Sequence, residues 1–384
     1  MLRKTKSYNQ PKHELLTRGN LLDEESGTFP YNTLRIMKLL KELFKIYSPS
    51  GNEKKMRKFI RWWLKNNVPE AITKTDDFGN IYVVKGEAEN YPCLCAHLDQ
   101  VQRTHSKDFE AIETKDYIFG FSRKNKRQEG LGADDKVGIW VNLKCLKKFD
   151  HIKAVFFVQE EVGCVGSGKC DMTFFDDCRF VIQCDRRNGD DLITTIGGWT
   201  NLCSPEFVKA IQPELFGYKE ECGLITDVGE LKERGLKVSA INLSCGYYEP
   251  HTDREFIIKE EVLNCLKFVE HIISTCTDVY PHEDDDCFFG RNGWDDGTWE
   301  EEYEEAYQSI ECDLLNHPWL TTEEILNAYK GYFFSLKEGD LRQIIEEVKN
   351  INFIDDDNDT GMRLLPNHET GMGKENEGIE AAIL

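Results

Sequence analysis

The sequence predicts an α/β protein: a three-layer sandwich with a mostly parallel central sheet, followed by a small helical C-terminal appendage. Three observations predict it. Short apolar runs recur at Leu94 to His97, Ala154 to Val158, Phe180 to Cys184 and Val238 to Leu243. Helical patterns lie among them, at Val137 to Cys145 and Lys259 to Ser274. Acidic and histidine residues sit at or just past the carboxyl ends of several runs, where open α/β sheets place their sites.

Each element follows in order. Residues 1–30 read as a flexible leader, polar and carrying Pro11, Gly19 and Gly27. Leu34, Met37, Leu40, Leu43 and Phe44 recur at helical spacing, and Ser48-Pro49-Ser50-Gly51-Asn52-Glu53 breaks that run. A second helix presents Met56, Phe59, Ile60, Trp63 and Leu64 on one face. Ala71–Thr75 and Ile81–Lys85 flank the turn Asp77-Phe78-Gly79-Asn80, a hairpin signal. The alternating strands and helices then place the main α/β domain at 31–280. Residues 281–305 are acidic with interspersed Phe and Trp, and read as a linker. Helical periodicity resumes over 306–350, with Thr321-Thr322-Glu323-Glu324 as a start signal before Ile325. The polar tail, 351–384, reads as disordered.

Composition narrows the function classes. At 384 residues the chain holds one large domain with an appendage, or two domains. A net charge of −21 argues against a nucleic-acid partner, whose phosphates it would repel. The 14 cysteines are scattered with no Cys-x-x-Cys pair, which suits a reducing compartment rather than a disulfide scaffold. Residues 1–19 carry no apolar stretch of the secretory type, and no run approaches membrane-span length. Cytosolic residence without a membrane partner is the expectation.

Five segments carry chemistry: Ala96-His97-Leu98-Asp99, Leu131-Gly132-Ala133-Asp134-Asp135-Lys136, Gln159-Glu160-Glu161-Val162-Gly163, Gln183-Cys184-Asp185 and Glu249-Pro250-His251. Each alone has an ordinary explanation: a hydrogen-bonded strand-end histidine, an acidic helix start, a turn aspartate, a surface-loop histidine. Glu160-Glu161 is harder to dismiss. Adjacent carboxylates at a buried strand end repel, and a cation or shared proton must offset that repulsion. Taken jointly, the segments supply two imidazoles and enough carboxylates for two divalent cations, with one glutamate left to accept a proton.

This ordered set resembles the co-catalytic di-zinc exopeptidase superfamily, which includes tripeptidase T and the leucyl and glutamyl aminopeptidases. His97-Leu98-Asp99 is similar to its first ligand motif, Gly132-Ala133-Asp134-Asp135-Lys136 to its bridging motif, and Glu160-Glu161-Val162-Gly163 to its base-and-ligand motif. Thr226-Asp227-Val228-Gly229 and Ser48-Pro49-Ser50-Gly51-Asn52-Glu53 resemble further family segments. The resemblance implies one zinc on His97 and Asp185 and a second on Glu161 and His251, with Asp134 bridging. It implies Glu160 as general base toward a metal-activated water, and Asp99 as the residue orienting His97. The choice of Asp134 over Asp135 rests on motif alignment. Zinc is the implied metal of both sites, with cobalt or manganese as alternatives.

Asp99 to Asp134 and Asp185 to His251 are both too short for the inserted lid or dimerisation domain of many relatives. A hairpin is expected within Asp108 to Arg127. Its basic residues Arg123, Lys124, Lys126 and Arg127 read mainly as a solvated loop, with attraction of a substrate carboxylate as the lesser reading. The expected activity is hydrolysis of short peptides by a monomeric aminopeptidase or dipeptidase. A metal-dependent amidohydrolase or deacylase acting on a non-peptide amide is one alternative, and a catalytically silent, peptidase-like binding scaffold is another.

Overall fold

A computed structural model describes residues 37–197 and 200–283, together with 320–329, 336–352 and a few single positions between 303 and 314. The expected leader, most of the acidic linker and nearly all of the C-terminal tail lie outside the described residues. The chain divides into two compact units, Met1–Gly293 and Trp294–Leu384.

The first unit opens with helices α1 (Lys38–Phe44) and α2 (Lys54–Asn67). Met56, Ile60, Trp63 and Leu64 return every three or four residues, so α2 buries one stripe and leaves its lysines and arginines outside. Strands β1 (Ile72–Thr75) and β2 (Ile81–Lys85) form the expected antiparallel hairpin. The Asp76 carboxylate closes its turn, accepting from the N–H groups of Gly79 at 2.8 Å and Asn80 at 2.9 Å. Gly79 has φ +110°, which only glycine adopts without strain.

The remaining strands of the large sheet are β3 (Tyr91–His97), β7 (Ile152–Phe157), β8 (Cys178–Arg186), β9 (Asp191–Ile196), β10 (Thr200–Asn201), β11 (Lys219–Gly223) and β12 (Ala240–Ser244). Their order is β1-β2-β7-β3-β8-β12-β9-β10, with β11 also on β9. The central four, β7, β3, β8 and β12, run parallel, and antiparallel pairs flank them on both sides. Strands β9 and β11 have no counterpart in the sequence reading: β11 is polar and exposed, and in β9 threonines and an aspartate leave only Leu192-Ile193 as an apolar pair.

Alternation along the central strands builds two cores. Leu94, Ala96, Ala154, Phe156, Phe180, Ile182, Ile241 and Leu243 share one face with α1, α2 and the helices α3 (Ala133–Lys148), α5 (Pro205–Ile211) and α7 (Lys259–Thr275). Cys93, Cys95, Val155, Phe157, Val181 and Ala240 pack on the other face, with Val228 and Leu231 of α6 (Asp227–Glu233). The short helix α4 (Val165–Gly168) contacts α6 there. This is the expected three-layer sandwich. Helix α3 is buried throughout from Ala133 to Leu143, as a helix at the centre of a layer must be, and only Lys147 and Lys148 at its end are exposed. Each fully buried Leu, Ile or Phe stabilises by about 1.5–3 kcal/mol.

A smaller five-stranded sheet joins β4 (Phe109–Glu113), β5 (Tyr117–Ser122) and β6 (Arg127–Gln128) to β13 (Tyr247–Tyr248) and β14 (Phe256–Ile258). The hairpin expected within 108–127 is therefore present. Two of its cations are already engaged, Arg123 with Glu110 at 2.8 Å and Arg127 with Glu129 at 3.6 Å. Both intervals between ligand motifs are absorbed into the two sheets, and no separately folded insertion occurs among the described residues. The chain stays bonded to this unit past Tyr280: Ser239 donates to the Tyr280 carbonyl and His282 to that of Lys237.

In the second unit α8 (Thr322–Tyr329) and α9 (Glu338–Asn352) are described. Ile325, Leu326, Leu341, Ile344, Ile345 and Val348 form a core of their own. The helical appendage is thus present, and its second helix runs two residues beyond the expected limit at 350. None of the twelve described cysteines is in a disulfide. No helix among the described residues is long and apolar enough to cross a membrane.

Candidate metal centre

Register brings the ligands together. Parallel pairing sets His97 beside Phe157 and Cys95 beside Gln183. The carboxyl ends of β3, β7 and β8 therefore stop at one edge, and His97, the Gln159–Glu161 turn and Asp185 emerge side by side. Asp134 arrives from the start of α3, and His251 from the β13–β14 loop.

Asp134 lies between the two imidazoles. Its Oδ1 is 2.9 Å from His97 Nε2 and its Oδ2 is 3.2 Å from His251 Nε2. Asp185 Oδ1 stands 3.5 Å from His97 Nε2, and Glu161 Oε2 stands 3.1 Å from His251 Nε2. Three donor groups result, His97–Asp134–Asp185, Asp134–Glu161–His251 and His97–Glu160–Glu161, each with its candidate ligand atoms within 4.8 Å of one another. The first two share Asp134 and hold the residues singled out in the sequence as ligand candidates; the third brings in Glu160. Glu160 Oε2 is 3.8 Å from His97 Nε2.

Asp135 is resolved from its neighbour by what it touches. It accepts from the His97 N–H at 3.0 Å and the Gly138 N–H at 2.9 Å, so it is committed to backbone. A Cβ on Gly138 would stand 2.2 Å from that carboxylate, hence the glycine. Asp99 lies past the end of β3 rather than on it. Its Oδ1 is 3.4 Å from His97 Nδ1, and it accepts from Ser50 Oγ at 2.7 Å and from the N–H groups of Glu160 at 3.0 Å and Glu161 at 3.3 Å. One carboxylate thus bonds the Ser48–Glu53 turn to the paired glutamates and lies beside His97 Nδ1, which is buried without a hydrogen-bond partner.

Further supports escaped the sequence reading. Gln183 donates to Asp185 Oδ2 at 3.0 Å, and its own carbonyl accepts from Thr226 Oγ1 at 2.7 Å and the Val228 N–H at 3.1 Å. The Thr226–Gly229 segment therefore orients the residue that orients Asp185. Asn242 accepts from the Asp185 N–H at 2.9 Å. Tyr247 donates toward Asp134 Oδ2 at 3.2 Å and Asp185 Oδ1 at 3.4 Å. Glu255, fully buried, accepts from the N–H groups of Gly132 at 2.6 Å and Ala133 at 3.0 Å.

The electrostatics favour cations. Five carboxylates (Asp99, Asp134, Glu160, Glu161 and Asp185) surround two imidazoles. Burial raises the carboxyls of Glu160, Glu161 and Asp185, and neighbouring carboxylates raise them further. Burial works against charge on His97, yet Asp185, Glu160 and Asp134 outweigh it and hold the imidazole well above its usual range. Burial also opposes charge on Asp134, but His251 and His97 outweigh it and hold that carboxyl below the usual range. Such a cluster cannot ionise fully without added positive charge. Glu161 Oε1 is buried and has no hydrogen-bond partner. Imidazole nitrogens with carboxylate oxygens suit zinc, cobalt or manganese, so the residues present fit a pair of divalent cations.

No protein-family model and no curated protein matches the chain. Solved structures do. Aminopeptidase PepT of Bacillus cereus is similar with a TM-score of 0.55 and 14% identity, over 64% of this chain and 99% of that one. A tripeptidase of Staphylococcus aureus has a TM-score of 0.52 and 14% identity, over 64% of this chain and 98% of that one. An aminopeptidase of the archaeon Desulfurococcus kamchatkensis has a TM-score of 0.50 and 16% identity, over 63% and 95%. The fold of this chain is the fold of these peptidases.

Proposed function

We propose that the chain is a metal-dependent exopeptidase that hydrolyses short peptides, of aminopeptidase or dipeptidase type, and that it works in the cytosol. The observation that carries this reading is Asp134, whose two oxygens face His97 and His251. In this reading His97 and Asp185 hold one cation, Glu161 and His251 the other, and Asp134 both. The bound pair supplies Lewis-acid polarisation of the scissile carbonyl and acidification of a water, zinc being the first choice. Glu160 Oε2 takes the proton of the attacking water and passes it to the leaving amine nitrogen. Asp99 keeps the His97 ring oriented through Nδ1 and, by binding the backbone of Glu160, fixes where the base stands. The likeness in fold to aminopeptidases and a tripeptidase agrees with this reading.

A substrate panel tests it. Dipeptides, tripeptides and amino-acyl amides with a free amino end are expected to be cleaved, and their N-blocked forms are not. Chelation is expected to abolish cleavage, and zinc, cobalt or manganese to restore it. Turnover of acylated non-peptide amides alone would transfer the reading to an amidohydrolase. Failure to bind any divalent cation would leave a silent scaffold.

A further inference from the structure

Glu255 has no part in the chemistry above, yet it is a completely buried carboxylate close enough to Asp134 to feel its charge. It lies four residues after His251, in the same loop. Its Oε2 accepts from the Gly132 N–H at 2.6 Å and from Gln102 Nε2 at 3.1 Å. Its Oε1 accepts from the Ala133 N–H at 3.0 Å and, more loosely, from the Asp134 N–H at 3.4 Å. Gly132 makes this possible, because φ +60° turns three successive N–H groups toward one point.

The network runs on. Gln100 donates to Gln102 at 3.1 Å, and Lys136, itself buried, donates to Gln100 at 2.5 Å and to the Leu131 carbonyl at 3.0 Å. Gln100 also accepts from the Ser48 N–H at 3.3 Å and follows directly on Asp99. The loops touch as well as bond: a Cβ on Gly130 would stand 2.6 Å from the Thr252 carbonyl. The segments carrying Asp99, Asp134 and His251 therefore meet at one carboxylate.

We propose that Glu255 is a positioning residue that holds Asp134 between the two imidazoles and ties the His251 loop to it. The assignment rests on the metal-centre reading above. Glutamine in its place leaves one acceptor oxygen where two stood, so the Gly132 and Ala133 N–H groups cannot both keep their bonds and the Asp134 backbone drifts relative to His251. A buried acid that merely stabilised the start of α3 would affect folding and leave the cation site untouched.

The test uses full-length wild type, Glu255→Gln and Glu255→Asp, stripped of metal and titrated with Co2+. The readouts are calorimetry, visible absorption, circular dichroism and the Tm of the cation-free proteins. Folded Glu255→Gln is expected to bind Co2+ about 10–100-fold more weakly, with a shifted visible band, as for other groups that orient metal ligands. Glu255→Asp, which keeps the charge but withdraws it by one methylene, is expected to fall between. A lowered Tm with Co2+ affinity and spectrum unchanged would overturn the proposal. Should Glu255→Gln not fold, the Glu255→Asp titration decides by the same criterion. Wild type that binds no Co2+ fails differently, since that outcome removes the metal centre itself.

Discussion

The two halves of the proposed ligand set are built differently. His97 and Asp185 stand at the ends of β3 and β8, and their side chains are 0% and 7% exposed. Backbone and carboxamide groups fix both: the His97 N–H is bonded to Asp135, and Asp185 is held by Asn242 and Gln183. Glu161 and His251 come from loops. His251 leaves 48% of its side chain exposed and sits at φ +62°, a conformation histidine rarely takes. The strand-borne half is fixed by the sheet before any cation arrives. The loop-borne half depends on contacts between loops, and for that reason it should be the weaker and more exchangeable site.

The largest effect belongs to the residue both halves share. Asp134→Ala is expected to bring bound cations, measured by elemental analysis, from two to none and activity to background; two cations retained would dissolve the comparison. Next comes Glu160→Gln, which leaves both ligand sets intact. It is expected to keep its metal and lose about 10²–10⁴-fold in turnover, the usual range for a general base. Full activity in that variant would remove the base. His251→Ala is expected to keep one tightly held cation, whereas His97→Ala disturbs the buried half and lowers affinity at both. Cobalt stoichiometry separates the two variants, and the reverse ranking would break the argument from strand and loop.

The same division governs what the sequence disclosed. The strand-borne residues were legible because an apolar run ending in His97 or Asp185 announces both the strand and the edge where it stops, and the Ala154 to Val158 run pointed the same way to the glutamates just past it. His251 was legible only through motif resemblance, since no periodicity marks a loop ligand. Glu255, Gln100, Gln102 and Tyr247 gave no signal at all. Each is a lone residue whose burial depends on loops distant in sequence meeting in space. Lys136 offered the one available hint, a charge opening an otherwise apolar helix, which must find buried partners. Strands β13 and β14, of two and three residues, were too short to read, and so the smaller sheet was seen only as its hairpin.

The smaller effects sharpen the comparison by leaving the proposed ligand and base side chains in place. Gly132→Ala strains a φ of +60° and places a Cβ 2.7 Å from Lys136 Nζ and 2.8 Å from Gln100 Cδ. A loss of about 1–3 kcal/mol is expected in denaturant unfolding of the cation-free protein. Arg123→Ala stands at the other end of the scale. Its ion pair with Glu110 is exposed on both sides, so solvent screens it and less than about 1 kcal/mol is at stake. Because Glu110 already engages this guanidinium, KM for peptides ending in a free carboxylate is expected to stay within about twofold. A selective rise in KM for those peptides, with amidated ones unaffected, would show that the β4–β6 hairpin helps to hold substrate. It would also mean that the loop-borne half of the site extends further round the rim than its cation ligands do.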